Sequence, residues 1–122
     1  MREAKEADIL RDCLTWLKLH GVFCWRQNQG AITGVHNGKK RFLRFCSMPG
    51  VSDILGILPP SGRLLAIECK RPGCHATAEQ DAFLDIVRQC GGVAVCVRGI
   101  EELEQALLAA GVWPPAHSRL AS

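Results

Sequence analysis

Two apolar runs joined by a four-residue breaker do most to limit how this chain can fold. Val51-Ser52-Asp53-Ile54-Leu55-Gly56-Ile57-Leu58 and Arg63-Leu64-Leu65-Ala66-Ile67-Glu68-Cys69-Lys70 flank Pro59-Pro60-Ser61-Gly62. Each run has the length and apolar content of a strand and the breaker has turn chemistry, so the pair predicts a β-hairpin. The 14 residues between Asp53 and Glu68 are enough to leave one strand, turn, and return on its neighbour. In a hairpin the start of the first strand lies beside the end of the second. Side chains alternate faces along a strand, so Glu68 and Lys70 point the same way, roughly 6.6 Å apart. Two carboxylates and one ammonium thereby meet at one sheet end, a set that suits a divalent cation and a phosphate. Taken singly, each of the three reads as an ordinary solvated surface charge. Together they end a strongly apolar run, where burial without partners would be costly.

The chain's 122 residues are the size of one ordinary domain, and a 48% hydrophobic content is enough for a packed core. Net charge is only +3, so attraction to nucleic acid has to come from local clusters rather than from a global field. No apolar stretch approaches the length of a membrane span, and the charged N-terminus does not read as a signal peptide. The seven cysteines are scattered, with several inside apolar strands and no CxxC pair. They read as reduced thiols behaving as small hydrophobes in a cytoplasmic protein. Cys69, Cys74 and His75 raise zinc, but a fourth ligand at the usual spacing is missing.

Arg2 to His20 predicts a helix ending at Gly21, with Leu10, Cys13, Leu14 and Leu17 as its apolar stripe. Glu6 falls on that stripe one turn before Leu10. It either meets a partner or a metal on the core-facing side, or lies in the first turn, where an acid favours the helix dipole and reaches solvent. Glu3 is its nearest substitute. Val22 to Arg26 reads as a strand. His36-Asn37-Gly38-Lys39 carries Asn-Gly, a strong hairpin signal, between Ala31–Val35 and Arg41–Phe45. Lys39, Lys40, Arg41 and Arg44 form the densest basic cluster; it reads as a holder of phosphates or as a solvated hairpin tip. Thr77 and Gln80 fit a capping box opening a helix over Phe83, Leu84 and Val87, although Gln80 also lies on the inward stripe. Gly92 to Val97 reads as a buried strand, Ile100 to Ala110 as a final helix, and the segment after Gly111 as loose. The resulting order predicts an α/β fold, a mixed β-sheet flanked by helices in a single domain over 1–110 with a tail over 111–122.

Asp53 with Glu68-x-Lys70, behind a first helix bearing Glu6, resembles the PD-(D/E)XK nuclease superfamily with its restriction-endonuclease-like fold. The finer resemblance is to the VRR-NUC domain. It is carried by Trp25-Arg26, Gly30-Ala31, Pro49 to Gly56, Ile67-Glu68-Cys69-Lys70, Gln80 with Phe83-Leu84, and Gly91-Gly92-Val93-Ala94. One departure is Ser52, where the superfamily often has proline. The resemblance implies the compact stand-alone form of bacteria and phages, an endonuclease similar to Holliday-junction resolvases, and a homodimer acting on branched DNA. It implies Mg²⁺, or Mn²⁺ as a substitute, held by Asp53, Glu68 and the Cys69 backbone carbonyl, with Glu6 completing the acidic set directly or through water. Lys70 would act on the attacking water and offset developing charge, and Gln80 would orient Lys70 or the phosphate. Arg26, Lys39, Lys40, Arg41 and Arg44 would meet DNA. Ile9 and Trp16 on the first helix are candidates for the dimer surface.

Overall fold

The computed structural model describes residues 5–27, 31–36, 39–44 and 48–115, the two middle spans by backbone alone. In chain order the elements are α1 (Glu6–Leu19), β1 (Phe23–Arg26), β2 (Ala31–His36), β3 (Lys39–Arg44), β4 (Ile54–Leu58), β5 (Arg63–Cys69), α2 (Ala78–Gln89), β6 (Val93–Val97) and α3 (Ile100–Ala109). Four strands form a mixed sheet in the order β1-β4-β5-β6. β4 runs antiparallel to both β1 and β5, and β5 runs parallel to β6. Parallel neighbours need a crossover, which α2 supplies. β2 and β3 make a separate two-stranded sheet with His36 opposite Lys39, the register an Asn-Gly turn favours. The expected hairpin is thus present, but it stands apart from the main sheet, and Lys39 and Lys40 belong to strand β3.

The sheet divides the interior into two layers. On one face, Ile54, Leu58, Leu65, Ile67 and Cys69 pack with Leu10, Cys13 and Leu17 of α1 and Leu103 and Leu107 of α3. On the other, Ala66 and Ala94 meet Leu84 and Val87 of α2. The small Ala66–Ala94 pair, cross-strand neighbours in the β5–β6 register, lets α2 sit close over this half of the sheet. Two glycines are required by close approach. Gly92 leaves room for the Leu64 carbonyl and the Val87 side chain, and Gly50, at φ +76, lies against the Glu79 carbonyl at the start of α2.

Of the two placements open for Glu6 the structure shows the solvent-facing one: Glu6 is exposed in the first turn, and the buried positions of α1 begin at Ile9. Two expectations need correction. Ile9 and Trp16 are not free for a dimer surface. Ile9 is 4% exposed in the core, and Trp16 stacks on Trp113 at 4.6 Å between ring centroids. For the same reason the segment after Gly111 is not loose at its start: Val112 and Trp113 pack against the α1–α3 layer. Among the described residues, no helix is long and apolar enough to cross a membrane.

Candidate active site

The β4–β5 register sets the site. Ile54 pairs with Ile67, so one step further the same register brings Asp53 opposite Glu68. Asp53 lies just before β4 and links three strands: its backbone carbonyl accepts from Gln27 N at 2.8 Å, and its Oδ2 accepts from the Cys69 amide at 2.9 Å. A side-chain oxygen thus takes a donor at the sheet end that a further ladder bond would have used.

Glu68 is almost wholly buried, at 2% exposure. It shares a face with Ala66, toward α2, and there Gln80 Nε2 donates to its Oε1 at 2.9 Å. The Gln80 side chain is held at its other end: its Oε1 accepts from the Thr77 amide at 2.8 Å, while Thr77 Oγ1 accepts from Gln80 N at 3.2 Å. The capping box is therefore complete, and the same glutamine also fixes Glu68. The capping-box and inward-stripe readings of Gln80 hold together, and the inward contact it makes is with Glu68.

The second oxygen, Glu68 Oε2, is buried and has no donor. In the absence of a cation, a proton shared with Asp53 would satisfy it. Burial, then the Asp53 charge and that shared contact, with a smaller contribution from Glu6, push the Glu68 carboxyl up to about 8; the Lys70 ammonium opposes them. Exposed Glu6 thus sits near enough for its charge to be felt at the site. Lys70 is half-buried directly after β5, anchored by its amide to the Val97 carbonyl at 3.0 Å.

The Cys69 thiol turns away from the site to the opposite layer, where contact with Cys13 and burial push it up; it behaves as part of the core. Cys74 and His75 instead meet Arg98, whose Nη2 donates to the Cys74 carbonyl at 2.8 Å and lies 3.2 Å from His75 Nδ1. Arg26 is exposed at the end of β1 opposite Ile54. Strand alternation puts it on the α1 side, away from the face of the carboxylates. The side chains of Lys39, Lys40, Arg41 and Arg44, and all of Glu3, lie outside the described residues. Sequence reasoning missed Cys96, which stands opposite Glu68 in the β5–β6 register. Burial pushes its thiol up and the Glu68 charge adds to this, while Arg98 and Lys70 act the other way. Only the parallel register could have revealed it, and no local motif encodes that.

Among the described residues, no three His, Cys, Asp or Glu side chains form a ready-made metal cluster. Two carboxylates nevertheless converge, one with a buried oxygen lacking a donor. That matches a cation such as Mg²⁺, which takes few protein oxygens and keeps several waters.

A four-stranded mixed sheet flanked by three helices, with an acid pair and a lysine at one sheet end, is a restriction-endonuclease-like α/β domain. The chain belongs to the VRR-NUC domain family, whose model matches residues 4–100; this is a nuclease-type DNA-processing domain of the PD-(D/E)XK superfamily. No curated protein and no solved structure gives a significant match.

Proposed function

We propose that this protein is a divalent-metal-dependent endonuclease that hydrolyses phosphodiester bonds in branched DNA such as four-way junctions, acting as a homodimer in the cytoplasm of a bacterial or phage-infected cell. The observation that carries the reading is the buried Glu68 Oε2 without a donor beside Asp53. An oxygen in that position is costly unless a proton or a cation satisfies it. Asp53 and Glu68, with the Cys69 carbonyl, would hold Mg²⁺ or Mn²⁺, and Glu6 would add negative charge from the first turn of α1. Bound there, the ion would supply charge neutralisation at the phosphate and water activation near neutral pH.

The remaining work falls to the chain itself. Lys70 offsets the negative charge that develops on the phosphate and orients the attacking water. Gln80 keeps Glu68 Oε1 engaged, so that Oε2 is the oxygen left for the cation. A symmetric dimer suits the substrate, because a single domain of this size has little surface to embrace a junction and two copies offer two sites to two strands.

The test is incubation of purified protein with a labelled immobile four-way junction and a matched linear duplex, in Mg²⁺, Mn²⁺ or EDTA, beside Lys70→Ala. Paired symmetric nicks in the junction alone, lost with EDTA and with the variant, are the expected result. Cleavage of both substrates removes the junction preference. Binding without cutting under every metal condition replaces the nuclease with a DNA-binding module on the same fold. Sedimentation as a monomer at tens of micromolar, with and without DNA, removes the dimer.

A further inference from the structure

We propose that the sheet face beside the carboxylates is a stacking platform for unpaired nucleotides, with Trp25 as its principal contact and Phe23 beside it. The proposal rests on DNA being the substrate and adds what form the DNA takes next to the site.

The geometry follows from the register. Phe23 pairs with Ile57 and Ile57 with Leu64; Trp25 pairs with Leu55 and Leu55 with Ala66. Residues opposite one another share a face and alternate residues along a strand share it too. The Phe23–Ile57–Leu64 row, the Trp25–Leu55–Ala66 row and the Asp53–Glu68 pair are therefore successive rows on one face. Trp25 is diagonal to Asp53, about 7–8 Å between such neighbours.

α2 packs over the β5–β6 half of this face and reaches Leu55 of β4 at its border. Beyond it, Phe23 of β1 is 71% exposed, Trp25 of β1 36%, Ile57 of β4 43%, and Leu64 at the start of β5 38%. The hairpin β2–β3 joins none of the four strands. Phe23 and Trp25 meet edge to face at 5.8 Å, and Trp25 Nε1 donates to Gln27 Oε1 at 3.2 Å, which fixes the indole.

Unpaired DNA fits this surface better than a second copy does. A phosphate delivered to Asp53 and Glu68 carries its neighbouring base one row along, over Trp25. Neither row contains a charge, as suits the flat face of a base out of its stack; paired duplex keeps its bases inside and offers mainly phosphate and sugar. The exposed apolar area is on the order of 400 Å², about half of the roughly 800 Å² that a stable interface takes from each partner.

The experiment measures equilibrium binding by fluorescence anisotropy in EDTA, which removes turnover. Probes are a labelled oligothymidylate single strand and a matched duplex; proteins are wild type, Trp25→Ala and Trp25→Phe. Loss of one stacked base predicts a drop of about tenfold or more in single-strand affinity for Trp25→Ala, with a much smaller change for duplex and most of the affinity kept by Trp25→Phe. The exposed position predicts unchanged circular dichroism and melting. Equal single-strand affinity for wild type and Trp25→Ala overturns the platform, as does absence of single-strand binding by wild type at tens of micromolar. Conversion of a dimer to a monomer by Trp25→Ala, with single-strand affinity intact, assigns the face to a second copy instead. If the binding loss appears but no DNA is cut in Mg²⁺, the platform stands and the nuclease reading falls.

Discussion

Replacing Glu68 by glutamine isolates the cost of the buried carboxylate. Glutamine has nearly the shape of the protonated acid: its oxygen can still accept from Gln80, and its amide can donate toward Asp53. In the native protein burial and the Asp53 charge raise Glu68 from an ordinary 4.5 to about 8. Below pH 4.5 the carboxyl is protonated in both folded and unfolded chains and nothing is lost. Between 4.5 and 8 the unfolded chain releases the proton while the folded chain keeps it, so wild-type stability falls as pH rises; above 8 the whole cost is borne. At 1.36 kcal/mol per pH unit the ceiling is about 5 kcal/mol, and proton sharing with Asp53 reduces the expected figure to ~2–3 kcal/mol. For a chain of this length that is a melting difference of about 8–12 °C. Thermal melts in EDTA should show the two proteins near parity at pH 4.5 and Glu68→Gln the more stable at pH 9. Saturating Mg²⁺ at pH 8 should raise the wild type more than the variant and narrow the gap. Parallel stability curves from pH 4.5 to 9, or a variant weaker than wild type at pH 9 without metal, would refute the reasoning.

Other substitutions probe separate parts of the structure. Gly50→Ala forces a Cβ into the Glu79 carbonyl at a positive φ; urea melts should show a loss of about 2 kcal/mol or more, since both steric overlap and backbone strain oppose it. Gln80→Ala removes the capping-box bond and frees Glu68 Oε1, so it should cost about 1–2 kcal/mol in denaturant titration and slow DNA cleavage together. Leu17→Ala empties a fully buried position under α1, with an expected loss of ~2–5 kcal/mol by the same titration. Lys70→Ala should fold with a normal melt and cut DNA at least a hundredfold more slowly in a single-turnover assay, because it removes an electrostatic contribution to the transition state.

The β4–β5 hairpin was legible because its signals are local: two apolar runs, a Pro-Pro-Ser-Gly turn, and charges placed where a strand ends. Thr77 and Gln80 were legible as a cap for the same reason. The Gln80–Glu68 bond was not, since it depends on how α2 lies across β5, which alanines at 66 and 94 permit but do not announce. Periodicity found the stripe of α1 but not its width. Ile9 and Trp16 flank that stripe, and it takes the partners around α3 and Trp113 to bury or stack them. Glu6 stayed open between core and solvent because a helical wheel has no record of where the neighbouring layer ends. The alternation that put Glu68 and Lys70 on one face also put Trp25 and Phe23 there, but only the β1–β4 register connects them.

Gln80 binds two requirements into one side chain. Its amide oxygen secures the first turn of α2, and its amide nitrogen secures Glu68. Robustness and chemistry therefore cannot drift apart at this position: a replacement that preserves the helix start but cannot donate leaves the carboxylate loose, and one that donates but cannot accept frays the helix. Glutamate in place of Gln80 would keep the cap but lose the donor to Glu68 and add a negative charge beside the acid pair. Asparagine would keep both functional groups but lack the reach. Among natural side chains this leaves little beyond glutamine, so position 80 should be among the least tolerant in a saturation library scored for DNA cleavage, and markedly more tolerant when the same library is scored for folding alone.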